Sequence, residues 1–213
     1  MSDMIFLGIE LLGTVSFALS GAVVGVRKKL DLFGVLILGL TTACGGGVIR
    51  DLILGITPPM MFRNPIYATV ALCTSLVVFM PAVRKLMERH QRHYEVFMLV
   101  TDAIGLGVFT VVGIQIAADI TWDSNVFLML FVGVVTGCGG GVLRDVMIRE
   151  MPFIFVKHFY ASASLVGALI YMAAWIGGDE VIATVVGALS VVVLRCLAAH
   201  YHWNLPKVED AEL

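Results

Sequence analysis

A chain of 213 residues could bury one sizeable core, but 59% of these are hydrophobic and only 14% are charged, with a mean hydropathy of +0.96. So few charges cannot cover a soluble domain of this size. A formal net charge of −2 offers nothing to nucleic acid, and apolar runs of about 20 residues parted by short polar breaks are the pattern of a polytopic helical membrane protein.

Seven spans are predicted, at 4–26, 32–54, 65–86, 95–117, 125–148, 158–177 and 180–199. The stretch before the first carries Asp3 and no basic residue. It lacks the basic start of a cleaved signal peptide, so the first span is expected to be retained. Arg27-Lys28-Lys29 closes span one, Thr57-Pro58-Pro59 follows span two, and a basic stretch from Arg84 to His93 follows span three. Residues Asp119 to Asn125 part spans four and five, and Gly177-Gly178-Asp179-Glu180 turns six into seven. Residues 1–203 thus read as a single transmembrane domain, and the tail at 204–213 as polar, cytosolic and mobile.

Lys and Arg set the direction. Arg27, Lys28, Lys29, Arg84, Lys85, Arg89, Arg92, Arg149, Lys157, Arg195 and Lys207 fall at one face, against Arg63 alone at the other. The amino terminus is therefore expected outside, and the carboxyl terminus in the cytosol of an inner-membrane protein.

The chain repeats itself. An offset of 94 aligns Thr42 with Thr136, Cys44 with Cys138, Gly45-Gly46-Gly47 with Gly139-Gly140-Gly141, and Arg50-Asp51 with Arg144-Asp145. An offset of 92 places Glu10 on Asp102, Gly13 on Gly105, Phe17 on Phe109 and Gly21 on Gly113. Repeat one covers about 4–87, repeat two about 94–177, and a seventh helix at about 180–199 is left over. A unit of three spans ends on the face opposite its start, so the second copy runs upside down. The expected fold is an all-α membrane protein with an inverted 3+3 repeat plus one helix.

Within each repeat the sequence CGGGV(I/L)RD sets a glycine triplet beside an ionisable pair, deep in an apolar span. A triplet permits bending, and an opened helix survives in lipid only where protein or water receives its amides and carbonyls. On this reading the triplets break spans two and five and line a passage, with the Thr42 and Thr136 hydroxyls lent to it; close packing of small residues is the plain alternative. Intramembrane ionisable residues are functional candidates. Arg50 and Asp51, as neighbours, point about 100° apart and are expected to need other partners. Depth along the helices predicts Glu10 with Arg50 and Asp102 with Arg144, which would leave Asp51 and Asp145 to face water or cations. Phe17 and Phe109 are candidates for a hydrophobic constriction, or for simple aromatic packing.

Nothing supports a resident metal or cofactor. Cys44, Cys73, Cys138 and Cys196 all lie in apolar segments, without a CxxC or His/Cys cluster. No nucleophile–base set or phosphate loop points to an enzyme.

With its doubled GGGxxRD element and duplicated six spans, the sequence resembles the prokaryotic trimeric intracellular cation (TRIC) channels over about 200 residues. The resemblance implies a homotrimer in the lipid bilayer. Each subunit would carry its own pore for potassium and sodium, lined by spans two and five bent at the triplets. Related bacterial sequences are also labelled glycine transporters, so a secondary carrier of glycine or another small amino acid is the alternative. The lysine-bearing lipid elements of animal members have no counterpart here.

Overall fold

The computed structural model describes residues 3–89, 91–120, 125–156 and 159–203; the expectations for the tail at 204–213 and for Lys157 lie outside these. Every element among the described residues is a helix: α1 (Asp3–Arg27), α2 (Leu32–Ile53), α3 (Met60–Arg63), α4 (Ile66–Phe79), α5 (Pro81–Arg89), α6 (Gln91–Ile120), α7 (Val126–Met147), α8 (Phe153–Val156), α9 (Tyr160–Gly177) and α10 (Glu180–His200). Six of them, α1, α2, α6, α7, α9 and α10, are long and apolar enough to cross a membrane, and α4 is a shorter apolar helix. The expected third span at 65–86 is two helices, parted at Met80, whose ψ of 139° is extended. Pro81 is the cause, because its ring disfavours helical geometry in the residue before it.

Helices α1–α5 form one half and α6–α9 the other. At the centre α1 packs on α2 and α6, α2 on α7, and α6 on α7, while α10 lies against α6 and α9. Aromatic residues are exchanged between the halves: a Cβ on Gly105 would meet the Phe17 ring at 2.1 Å, and one on Gly13 would meet Val108 at 2.7 Å and the Phe109 ring at 3.2 Å.

The glycine triplets are not helix breaks. Both α2 and α7 run as unbroken α-helix through them, which keeps every amide bonded where lipid could not substitute. What the triplets supply is contact. A Cβ on Gly46 would sit 2.2 Å from the Thr136 carbonyl oxygen, and one on Gly140 2.0 Å from that of Thr42. The two antiparallel helices thus touch backbone to backbone, the small-residue packing of membrane helices. The threonines serve the same end. Thr42 Oγ1 donates to Leu38 O and Thr136 Oγ1 to Val132 O, each at 2.6 Å, and a Cβ on Gly21 or Gly113 would meet these hydroxyls at 2.4 and 2.7 Å.

Candidate functional site

Each Arg-Asp pair sits in the last turn of its helix and organises the chain that follows. Helix α2 ends with Ile56 N donating to Asp51 O at 2.8 Å, and α7 with Glu150 N donating to Asp145 O at 2.9 Å. These bonds reverse the backbone. The side chains then reach ahead: Met60 N donates to Asp51 Oδ2 at 2.7 Å, and Phe153 N to Asp145 Oδ2 at 3.0 Å. Each aspartate therefore holds the first amide of the four-residue helix that follows its own. The other carboxylate oxygen is taken by the neighbouring arginine, with Nε to Oδ1 at 2.8 Å in both copies. Adjacent Cβ atoms do point apart, but an arginine is long enough to curl back onto a short aspartate. Asp51 and Asp145 are consequently paired and not left to face cations, contrary to expectation.

The first cluster contains Glu10, Arg50 and Asp51, all buried. Glu10 was expected to pair with Arg50. It accepts a hydrogen bond from the Tyr67 hydroxyl instead, while Arg50 spends its Nη2 on Asp51 at 2.7 Å and on Met60 Sδ at 3.6 Å. Glu10, Thr14, Gly47, Arg50, Tyr67 and Phe109 nevertheless line one cavity of about 40 Å³, room for a water molecule.

The second cluster is built around Arg144, which is 0% exposed. Its Nη1 donates to Asp102 Oδ1 at 2.8 Å and to Ser20 Oγ at 2.5 Å, so the expected Asp102–Arg144 contact is present and extends to α1. The guanidinium also lies 5.0 Å from the centre of the Phe153 ring. From the extra helix comes Arg195, buried, with Nη2 3.9 Å from Asp102 Oδ2 and Cζ 4.6 Å from the centre of the Tyr160 ring. Asp102 and Arg195 face a cavity of about 720 Å³, also lined by Arg27, Glu95, Glu150 and Phe153. Lys28 pairs with Glu150 there, joining the loop before α2 to the loop after α7.

Helix α1 links the two sites. Glu10 and Thr14 face the first cavity, Ser20 bonds Arg144, and Val24 and Arg27 line the second cavity. Ten residues from Glu10 to Ser20 span about 15 Å at the helical rise. Between them Phe17 packs on Phe109, with ring centres 5.4 Å apart and both rings buried.

Sequence reasoning matches Tyr67 with Tyr160 across the repeats, with one residue of slippage, but gives neither a role. It also passed over Ser20, and it counted Arg195 as a topological signal alone. An arginine inside an apolar span is a functional candidate on the same ground as Arg50.

These features define a polytopic helical membrane protein made of two inverted copies and an added helix, with a charge cluster in each copy. The family model described as "Glycine transporter" matches residues 7–82 and again 99–176, and the chain belongs to that family. It is 36% identical over 199 residues to a UPF0126 membrane protein of Vibrio cholerae serotype O1, covering 93% of this chain and 80% of that one. It is 33% identical over 201 residues to the UPF0126 inner membrane protein YadS of Escherichia coli K12, covering 93% of each. Among solved structures, a TRIC cation channel studied for the structural basis of its conductance superposes with a TM-score of 0.79 at 37% identity, over 99% of this chain and 100% of that one. The TRIC trimeric intracellular cation channel orthologue from Rhodobacter sphaeroides gives a TM-score of 0.84 at 29% identity, over 94% and 100%. The resemblance to TRIC channels read from the doubled motif is thereby established.

Proposed function

We propose that the protein is a monovalent cation channel, passing potassium and sodium through a pathway within each subunit. One observation carries the reading: the likeness, at 37% identity over 99% of the chain, to a TRIC cation channel. The charge pattern supports it, since a carboxylate, Glu10 or Asp102, stands beside each of two cavities at opposite ends of α1. The proposed route follows α1 from Glu10 and Thr14, past Phe17 and Phe109, to Asp102. The triplets Gly45-Gly46-Gly47 and Gly139-Gly140-Gly141 hold α2 and α7 together beside it, and Arg50, Asp51, Arg144 and Asp145 brace its ends. Conduction requires the two phenylalanines to part. A homotrimer in the inner membrane, amino terminus outside and carboxyl terminus cytosolic, suits both the arrangement of Lys and Arg and the trimeric Rhodobacter relative.

Single-channel recording from purified protein in a planar bilayer tests this. Discrete potassium currents, with Phe17→Ala and Phe109→Ala each raising open probability, are the expected result. A second reading, a carrier of glycine, is favoured by the description of the matching family model. Saturable glycine uptake into proteoliposomes with counterflow, and without current steps, would replace the first reading by the second.

A further inference from the structure

The two clusters differ in formal charge. Around Glu10 one guanidinium, Arg50, faces two carboxylates, Glu10 and Asp51. Around Asp102 two guanidinium groups, Arg144 and Arg195, face Asp102 and Asp145. Arg195 comes from α10, which has no counterpart in the first half. Its position changes the local bonding as well. In the first half the tyrosine hydroxyl of Tyr67 reaches the acid Glu10. In the second, Arg195 stands over the matching Tyr160 ring, beside Asp102. Among the described residues Asp102 Oδ2 and the Tyr160 hydroxyl are then both buried without a hydrogen-bond partner. Asp102 and Arg195 also line the cavity of about 720 Å³, and two such oxygens behind its wall are what a weakly hydrated monovalent cation needs in place of part of its water shell.

We infer that Asp102 Oδ2 and the Tyr160 hydroxyl form a monovalent cation subsite, and that the Arg195 guanidinium is its tethered occupant in the structure described here. At 3.9 Å from Asp102 Oδ2, Arg195 is near enough to neutralise the carboxylate yet beyond hydrogen-bonding distance. A permeant cation and the guanidinium therefore compete for one carboxylate. Arg195 acts as a built-in brake on cation entry at this end of the molecule, and α10 is the helix that carries it. The inference rests on the channel reading above for its physiological meaning, but the subsite itself is tested by binding.

The experiment compares wild type, Arg195→Gln, Arg195→Lys and the double change Arg195→Gln with Asp102→Asn, in lipid nanodiscs and in planar bilayers. Melting temperature is measured in potassium chloride against choline chloride at equal ionic strength. Arg195→Gln is expected to gain a potassium-dependent rise that wild type and Arg195→Lys lack, and Asp102→Asn is expected to abolish it. Unitary potassium conductance at low salt is expected to rise up to about tenfold in Arg195→Gln, because removing one cation from a focused mouth raises the local concentration of counter-ions. Arg195→Met, of similar volume and suited to the Tyr160 ring, replaces the glutamine variant if that one does not assemble. Conducting wild type together with a neutral variant that gains neither potassium-dependent stability nor conductance would overturn the subsite and leave the channel reading intact. Potassium-dependent stabilisation of the neutral variant with no current from any variant would uphold the subsite and remove the channel reading.

Discussion

The two halves of this protein put the same residue types at the same stations and use them differently. Both Arg-Asp pairs make one local device, in which the aspartate takes its neighbouring arginine with one oxygen and caps the next short helix with the other. Beyond that device the halves diverge. Among the described residues the Arg50 side chain gives its hydrogen bonds to Asp51 and the Met60 sulfur, whereas Arg144 reaches Asp102 and Ser20 and so ties α7 to both α6 and α1. The matched acid goes to tyrosine in one copy and to two arginines in the other. Duplication has conserved the part of the motif that folds the chain. The added helix has altered the part that faces the cavity.

Large and equal effects should fall where the halves are most alike. Because a Cβ on Gly46 or Gly140 would strike a backbone carbonyl at 2.2 or 2.0 Å, alanine at either site is expected to cost about 3 kcal/mol. Both variants should lose most of the properly assembled protein on size-exclusion chromatography, and to a similar degree. Gly47 supplies the control, since its nearest neighbour would be 3.7 Å away. Gly47→Ala should melt no lower than wild type, and helix propensity favours it by up to about 1 kcal/mol. Tolerance of Gly46→Ala would mean that α2 and α7 do not meet as described.

The arginines should separate the halves. Arg144→Met strands Asp102 and Asp145 in a buried setting and is expected to cost about 3–5 kcal/mol, the range for breaking one side of a buried ion pair. Arg50→Met takes the ion pair from Asp51, whose other oxygen keeps the Met60 amide, and leaves Glu10 its Tyr67 hydrogen bond, so it should cost less, about 2 kcal/mol. Thermal melting in nanodiscs orders the two. Equal losses would show that the added contacts to Ser20 and Asp102 carry no stability.

Much of this fold could be read before any coordinates. The spans follow from hydropathy, and the inversion follows from an odd number of spans per repeat. Depth along the helices was enough to bring Asp102 to Arg144. Other features were hidden for physical reasons. A glycine triplet permits both a break and a close contact, and only the partner surface decides between them; here the partner is the other triplet. Spacing on a helical wheel described where the Arg50 and Asp51 side chains start, not how far an arginine can turn back. The break at Met80 was legible in Pro81 and was overlooked inside an apolar run. Arg195 was hidden differently, because Asp102 and Tyr160, which it meets, come from α6 and α9, far from it along the chain.

The tyrosines give a finer contrast. The Tyr67 hydroxyl donates to Glu10, so Tyr67→Phe leaves a buried carboxylate without that bond and is expected to cost about 1.5–3 kcal/mol. The Tyr160 hydroxyl has no hydrogen-bond partner among the described residues, so Tyr160→Phe should be neutral or slightly stabilising in choline chloride. Similar losses from both changes would indicate that Tyr160 bonds to Asp102 after all, and that the two halves are closer to symmetric than described.

The smallest difference lies just past the motif. Gly55 and Arg149 occupy matched positions after α2 and α7, both in the left-handed region, with φ of 72° and 59°. A side chain there costs about 1–2 kcal/mol, so Gly55→Ala should lower stability by about 1 kcal/mol. The reverse change need not return the same amount. Glycine at 149 relieves the backbone but also gives the unfolded chain more freedom, which withdraws about 0.4–1 kcal/mol. Arg149→Gly is therefore expected to raise the melting temperature only slightly, by less than Gly55→Ala lowers it. A loss on Arg149→Gly would assign the arginine a stabilising contact of its own at the rim of the groove it shares with Lys28 and Phe33.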